Sequence, residues 1–212
     1  MKFHDYFRSS AAYRVRIIMN LKGIETERVY VNLFKGEQRA EAFRAVSPFG
    51  LVPVLEHEGQ RIFQSLAMIE YLEALYPDPS VIPSDPAGRA RVKGLALAIA
   101  ADIHPLGNLR VLNFVENEIG GGKDGRAAWI AHWTHEGLRG LEAVLSQESA
   151  TGTFCHGETP GLADACLVPQ LFFARRFDLD LGPYPTLVRI DAACNGLAAF
   201  VDAQPMRQPD AF

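Results

Sequence analysis

Four prolines, Pro77, Pro79, Pro83 and Pro86, fall within ten residues and constrain this chain more than any other feature. Proline has no N–H to donate and holds φ at about −65°, so such a stretch continues neither a helix nor a central strand. Before it the apolar residues switch repeatedly between strand-like and helix-like spacing; after it every pattern is helical. Residues 1–78 are therefore expected to form one domain, 79–86 a linker, and 87–212 a second domain. A chain of 212 residues with 48% apolar composition has enough apolar surface for one good core or two small ones.

In the first part a short strand is expected at Lys2–Tyr6 and a helix from Ala11 to Leu21, stopped by Gly23. Val29, Val31 and Leu33 share one face of a second strand over Arg28–Leu33, followed by a polar helical stretch, Glu37–Arg44, and the loop Ser47-Pro48-Phe49-Gly50. Val52–His57 and Gln60–Phe63 flank Glu58-Gly59, a hairpin signal, and a helix over Ser65–Tyr76 closes the unit. The order βαβαββα is thioredoxin-like. Helices are expected beyond the linker at Arg89–Ile103, Arg126–Leu145, Leu162–Arg175 and Thr186–Phe200, with Gly120-Gly121-Gly122 breaking the first two apart. The fold class is α/β plus all-α, and fold alone says little about chemistry.

With 22% charged residues of mixed sign and a net charge of −4, the chain has no electrostatic footprint for nucleic acid. Its start, MKFHDYFRSS, lacks the apolar core of a signal peptide, and no later stretch approaches the roughly 18 uncharged apolar residues of a membrane span. Cys155, Cys166 and Cys194 form neither a CxxC pair nor an even disulfide set, which suits a reducing compartment. A cytoplasmic protein is expected, with no nucleic-acid or membrane partner and no metal centre.

Three short segments carry candidate chemistry. Ser9 and Ser10 sit where the first strand gives way to the first helix, with Ser10 placed to cap it and free N–H groups behind. Such a spot is either an ordinary cap or an anion site, where the helix dipole and a hydroxyl would stabilise a thiolate. The chain has no cysteine there, so the sulfur would have to come from a ligand. Val52-Pro53 lies where a thioredoxin-like fold carries a cis peptide bond, which would present the Val52 N–H and C=O to a peptide; it reads equally as a proline-limited edge strand. Gln64-Ser65 opens another helix with a hydroxyl at its N-cap, a plain cap or a second anion site suited to a carboxylate.

FRSSAAYRVRIIMNLKGI (7–24), LVPVLEHEG (51–59) and FQSLAMIEYLE (63–73) resemble the zeta-class glutathione transferases. The resemblance continues through IHPLGNLRVL (103–112), LADACLVPQ (162–170), RRFDLDLGPYP (175–185) and RQPD (207–210), and so covers nearly the whole chain. It implies the glutathione transferase fold, glutathione as cofactor, and a homodimer to which an exposed apolar face around Met68 and Tyr71 would contribute. By this resemblance Ser9, Ser10 and Ala11 line the thiol site, with Ser10 the donor to the sulfur. Val52 pairs with the cysteinyl backbone, Gln64 and Ser65 hold the γ-glutamyl carboxylate, and Lys35 and Gln38 contact the glycyl end. His104 and Asn108, one helical turn apart, are hydrogen-bond partners for substrate or glutathione. Ala11 departs from the family, which usually has cysteine after the serine pair. Gly161 departs too, standing where a Ser or Thr would cap the helix, while Asp164 can still serve the capping box.

Three arginines bear on the substrate by the same resemblance: Arg8 beside the thiol site, Arg110 and Arg176. Each alone reads also as a solvated surface charge. Several arginines together, each giving a carboxylate two parallel hydrogen bonds, would select a small dicarboxylate. Ser9, Ser10, Arg8 and Arg176 are the expected catalytic group. The implied reaction is glutathione-dependent cis–trans isomerisation of maleylpyruvate to fumarylpyruvate, as in gentisate-type aromatic catabolism. The alternatives are maleylacetoacetate isomerisation in tyrosine catabolism, a conjugating or dehalogenating transferase, and a non-catalytic glutathione-binding protein.

Overall fold

A computed structural model describes all residues from Met1 to Phe212 and divides them into two compact units, Met1–Val81 with Asn195–Phe212, and Ile82–Cys194. In the first unit β1 (Lys2–Asp5) is followed by α1 (Ser10–Leu21) and β2 (Glu27–Tyr30), which lies parallel to β1. A 3₁₀ turn (Glu37–Arg39) and the one-turn helix α2 (Glu41–Arg44) replace the single helical stretch expected there. Strands β3 (Val54–His57) and β4 (Gln60–Ile62) form an antiparallel hairpin, and α3 (Ser65–Leu75) completes the βαβαββα order. The sheet runs β2-β1-β3-β4, with Phe3 of β1 opposite Leu55 of β3. The hairpin turn puts Glu58 at φ 49° and Gly59 at φ 75°, the pair of positive φ values that a two-residue turn matching the strand twist requires.

Helix α1 is buried on every side from Ala12 to Met19. Ala12, Val15, Ile17, Ile18 and Met19 belong to the core, and α3, with Met68, Ile69 and Leu72 fully buried, is one of its neighbours. That packing corrects the expected exposed face: Met68 is a core residue, and the Tyr71 hydroxyl is hydrogen-bonded to His57 Nδ1 at 2.8 Å. A further side of α1 is covered by the chain's last segment. Asn20 Nδ2 donates to the Ala199 carbonyl at 2.9 Å and Arg16 Nε to the Ala203 carbonyl at 3.0 Å. Residues 195–212 therefore belong with the first unit and not, as the sequence pattern suggested, with the second. The helix expected over Thr186–Phe200 divides accordingly, ending at Cys194 and resuming only as a short turn of helix, Ala198–Val201.

The second unit opens with α4 (Pro86–Leu97), capped by Asp85 Oδ1 accepting the Gly88 N–H at 2.8 Å, with Pro86 at the first helical position, where its missing N–H costs nothing. A π-helical turn (Ala98–Ile103) and a 3₁₀ turn (His104–Gly107) lead into α5 (Leu109–Asn117), and past Gly120 come α6 (Gly122–Gln147), α7 (Leu162–Arg176) and α8 (Pro185–Cys194). Helix α7 is the core helix, with all of Leu162–Leu171 buried against neighbours that include α4 and α8. The run Pro86–Asn117 has the length and hydropathy of a membrane span. Its helix is broken at Pro105, however, and Val92, Leu95, Ile99, Ile103, Leu112 and Val115 are buried in the unit's own core.

Candidate active site

At the end of β1 the Tyr6 carbonyl accepts the Ser9 N–H at 2.9 Å, closing a turn that delivers Ser9 in an extended conformation (φ −69°, ψ 114°). Ser9 Oγ then accepts the Ala12 N–H at 3.2 Å, so Ser9 and not Ser10 is the N-cap. The expected assignment is off by one because the cap must be the last non-helical residue, and the chain already turns helical at Ser10. Ser10 is left half-buried with its hydroxyl unpaired, beside the unpaired N–H groups of Ser10 and Ala11. Three donors at the positive end of a helix form a site for one anionic atom.

A single apolar cluster gathers the other segments around this turn. Tyr6, Phe7, Val31, Phe43, Val52 and Val54 form it, with Phe63 and Ala211 packed against them. The stretches Arg8–Ala11, Val52 and Gln64–Ser65 each begin at or directly after one of its members. The Val52–Pro53 peptide bond is cis, as expected. At the start of α3 the capping position belongs to Gln64, which makes no side-chain cap bond and is held at φ 66°. Ser65, expected to cap, is the first helical residue; its buried Oγ instead accepts a hydrogen bond from Arg14 Nη1 of α1 at 3.3 Å. A positive φ at a residue other than glycine costs on the order of 1 kcal/mol and persists where the surroundings enforce it, often at a binding site. Gln38 lies with its backbone carbonyl against Gly50, and its buried Oε1 has no partner. Lys35 is exposed; its backbone N–H donates to Asn32 Oδ1 at 3.0 Å.

Arg8 stands on two phenyl rings. Its guanidinium carbon is 4.8 Å from the Phe7 ring centroid and 5.4 Å from that of Phe212, and Nη2 donates to the Phe212 carbonyl at 3.2 Å. In the second unit Arg176 is held the same way, 4.7 Å from the Phe177 centroid and 5.6 Å from Phe173, with its side chain exposed. A Cβ on Gly107 would come within 2.7 Å of the Phe173 ring, so the His104–Gly107 turn lies close against that ring and a larger residue would require the ring to shift. Trp129 Nε1 donates to the Leu106 carbonyl at 2.9 Å and fixes the turn from the other side. His104 and Asn108 thus do not share a regular helical turn. Pro105 leaves a 3₁₀ turn, and Asn108 emerges from it as the N-cap of α5, its Oδ1 accepting the Arg110 N–H at 3.2 Å. Arg110 is exposed in the first turn of α5, where a cation opposes the helix dipole by a few tenths of a kcal/mol or more, so stability does not explain its presence.

Residues 8–75 match the glutathione S-transferase N-terminal domain family and residues 127–203 its C-terminal domain family. A maleylpyruvate isomerase from Ralstonia is 43% identical over 99% of both chains, and a maleylacetoacetate isomerase from Rhizobium meliloti is 47% identical over 96% of this chain and 95% of its own. The holo structure of a maleylpyruvate isomerase, described as a bacterial zeta-class glutathione S-transferase, superposes with a TM-score of 0.97 at 42% identity and full coverage of both chains. A maleylacetoacetate isomerase from Methylobacterium extorquens AM1, solved with malonate and glutathione bound, gives 0.97 at 38% identity, again over the whole of both chains. The chain belongs to the zeta class of the glutathione S-transferase family. In this glutathione S-transferase the first unit contains no cysteine. Position 11 is alanine, and Cys155, Cys166 and Cys194 are all buried in the second unit, where burial pushes the Cys155 and Cys194 thiols up. The departure at Gly161 is absorbed as expected: Asp164 Oδ2 accepts the Gly161 N–H at 2.9 Å, while Oδ1 accepts the Cys155 N–H at 2.8 Å. Sequence reasoning missed Arg14, Trp129 and the closing segment Asp210–Phe212. For Arg14 a signal existed: a cation inside the apolar run of α1 had to have a partner when buried.

Proposed function

We propose that this protein is a glutathione-dependent cis–trans isomerase that converts maleylpyruvate to fumarylpyruvate. The observation that carries the reading is the pairing of a three-donor anion site at Ser10-Ala11 with a ring-mounted arginine, Arg8, two residues before Ser10. The donors fit a thiolate, and the α3 N-terminus behind the constrained Gln64 fits a carboxylate, so glutathione suits this unit. Glutathione supplies the sulfur nucleophile that adds to the cis double bond and departs after rotation, without net consumption.

The chain's own residues supply the electrostatics. Ser10 and the helix N-terminus hold negative charge at the sulfur position, Ser9 fixes the turn that aims them, and Arg14 fixes Ser65. Gln64 and Ser65 are assigned to the γ-glutamyl carboxylate, Val52 to the cysteinyl backbone, and Lys35 and Gln38 to the glycyl end. Arg8, Arg110 and Arg176 are assigned to the substrate's carboxylates, where a bidentate charge-assisted pair is about twice as strong as a neutral hydrogen bond. Arginines directed at charge developing on the substrate are the main source of acceleration in this reading. Asn108 keeps its amide N–H donors for ligand, because its cap uses only the oxygen; His104, at the start of the preceding 3₁₀ turn, is assigned to the same ligands.

Maleylacetoacetate presents the same reacting diacid, and the Rhizobium relative carries that name. Parallel assays of both substrates with glutathione decide between them: a higher kcat/KM for maleylpyruvate is expected, and the reverse order overturns the choice. The homodimer stays part of the proposal, on a face other than Met68; sedimentation showing only a 23.4 kDa species at assay concentration would remove it.

A further inference from the structure

The last ten residues are fastened to the turn that carries the thiol site, and nothing in the reaction above uses them. Arg16 ties the Ala203 carbonyl, through Nε at 3.0 Å, to the Phe7 carbonyl, through Nη2 at 2.9 Å. Gln208 Nε2 donates to the carbonyls of Asp202 and Gln204 at 2.8 and 2.9 Å, folding the segment back on itself. Asp210 Oδ2 then accepts the Phe7 N–H at 2.9 Å, and Ala211 packs on the Tyr6–Phe7–Val52 cluster. Phe212 ends the strap with its ring 5.1 Å from Phe7 and 6.3 Å from Phe34. Both groups that hold Arg8 from beyond its own turn, the Phe212 ring and the Phe212 carbonyl, come from this strap.

We propose that Phe212 is a positioning residue for Arg8, and that Asp210 is the latch which keeps Phe212 in place. Without the second ring, Arg8 would retain only Phe7, its own neighbour in sequence, and the guanidinium would sweep through the rotamers open to a long half-exposed side chain. With it, the guanidinium plane is confined by two ring faces, which attract the cation yet leave its N–H groups for other partners. One N–H goes to a main-chain oxygen of Phe212, and the others remain for a substrate carboxylate. The strap thus delivers an arginine already aimed, and the substrate need not bear the whole ordering cost.

The proposal rests on the assignment of Arg8 to a substrate carboxylate, and a double-mutant cycle separates the two. Phe212→Leu is expected to lower kcat/KM for the diacid by roughly three- to tenfold, as befits one cation–π contact, with glutathione affinity and melting temperature unchanged. Phe212→Tyr, which keeps the ring, is expected to restore activity. In an Arg8→Met background Phe212→Leu is expected to have no further effect, since it acts only through Arg8. Wild-type activity in Phe212→Leu together with a strongly impaired Arg8→Met overturns the strap and leaves Arg8 in its role. Wild-type activity in Arg8→Met overturns the Arg8 assignment and the strap with it. An equal loss on adding Phe212→Leu to Arg8→Met shows that Phe212 does not act through Arg8, and also overturns the proposal.

Discussion

Arg14 and Arg16 of α1 lie buried inside the first unit, whereas Arg8 and Arg176 lie at the surface of their units on pairs of phenylalanine rings, and the same side chain is held differently in the two places. Arg16 gives its N–H groups to Asp5 Oδ1 at 2.8 Å and to the carbonyls of Phe7 and Ala203, and Asp5 is completed by Arg28 Nη1 at 2.8 Å and the Tyr6 N–H at 2.7 Å. Burial lowers the Arg16 pKa, with Asp5 opposing the shift. Its donors hold β1, α1 and the returning C-terminal segment in one register. Arg8 and Arg176 each stand in addition over two phenylalanine rings, whose quadrupole attracts the cation through the ring face. Under the proposed function the buried arginine is structural, and the two that stand over rings serve the substrate.

Several substitutions would break or sharpen that contrast. The largest effect is expected at Arg16→Met, which removes one of the two cations on the buried Asp5 carboxylate and frees the carbonyls of Phe7 and Ala203, and should cost about 3–5 kcal/mol in urea unfolding; a loss below 1 kcal/mol would make Arg16 no more structural than Arg8. Next come Arg8→Met and Arg176→Met, each expected to reduce kcat/KM for the diacid by about one to two orders of magnitude while stability stays within about 0.5 kcal/mol. A parallel fall in glutathione affinity for both would show that they do not serve the substrate. Ser10→Ala should raise the pKa of glutathione bound at the site by about one unit, read from the ultraviolet absorbance of the thiolate. An unchanged titration would transfer the donor role to the backbone N–H groups alone.

The smallest effect concerns Asp210, whose carboxyl burial pushes above its ordinary value against the pull of the Phe7 N–H. A raised carboxyl pKa means that the ionised form costs the folded state above that pKa, and that the cost is relieved as pH falls toward the ordinary value near 3.8. Asp210→Asn, which keeps an acceptor for Phe7, should therefore be slightly more stable than the parent at neutral pH, with the difference shrinking in acid. A difference that grows in acid would contradict the sign.

What the sequence displays and what it hides divide along the same lines. Local signals are legible: Glu58-Gly59 makes the hairpin, Gly120 opens the break before α6, and Asp164 closes the cap that Gly161 leaves open. The proline-dense stretch is also where the first unit's opening run ends, at Val81. Features that depend on distant partners are not legible. Ser65 reads as a cap until Arg14 is seen to bind it, and Met68 reads as an exposed apolar residue until it is found in the core with α1 as a neighbour to its helix. The return of Asn195–Phe212 to the first unit is written in bonds between residues nearly two hundred positions apart, such as Arg16 to Ala203. Local periodicity carries no trace of such pairings. The Arg8–Ser9–Ser10–Ala11 turn lies in between: its position is legible from the strand-to-helix change, but the identity of the capping serine depends on where the backbone turns helical.

The central claim, isomerisation with glutathione recovered, is tested most directly by following excess maleylpyruvate with a small fraction of one equivalent of glutathione, counting thiol and identifying product together. Complete conversion to the trans isomer with the thiol count unchanged is the predicted result. Turnover that stops when glutathione is exhausted, with a conjugate accumulating in its place, would contradict it.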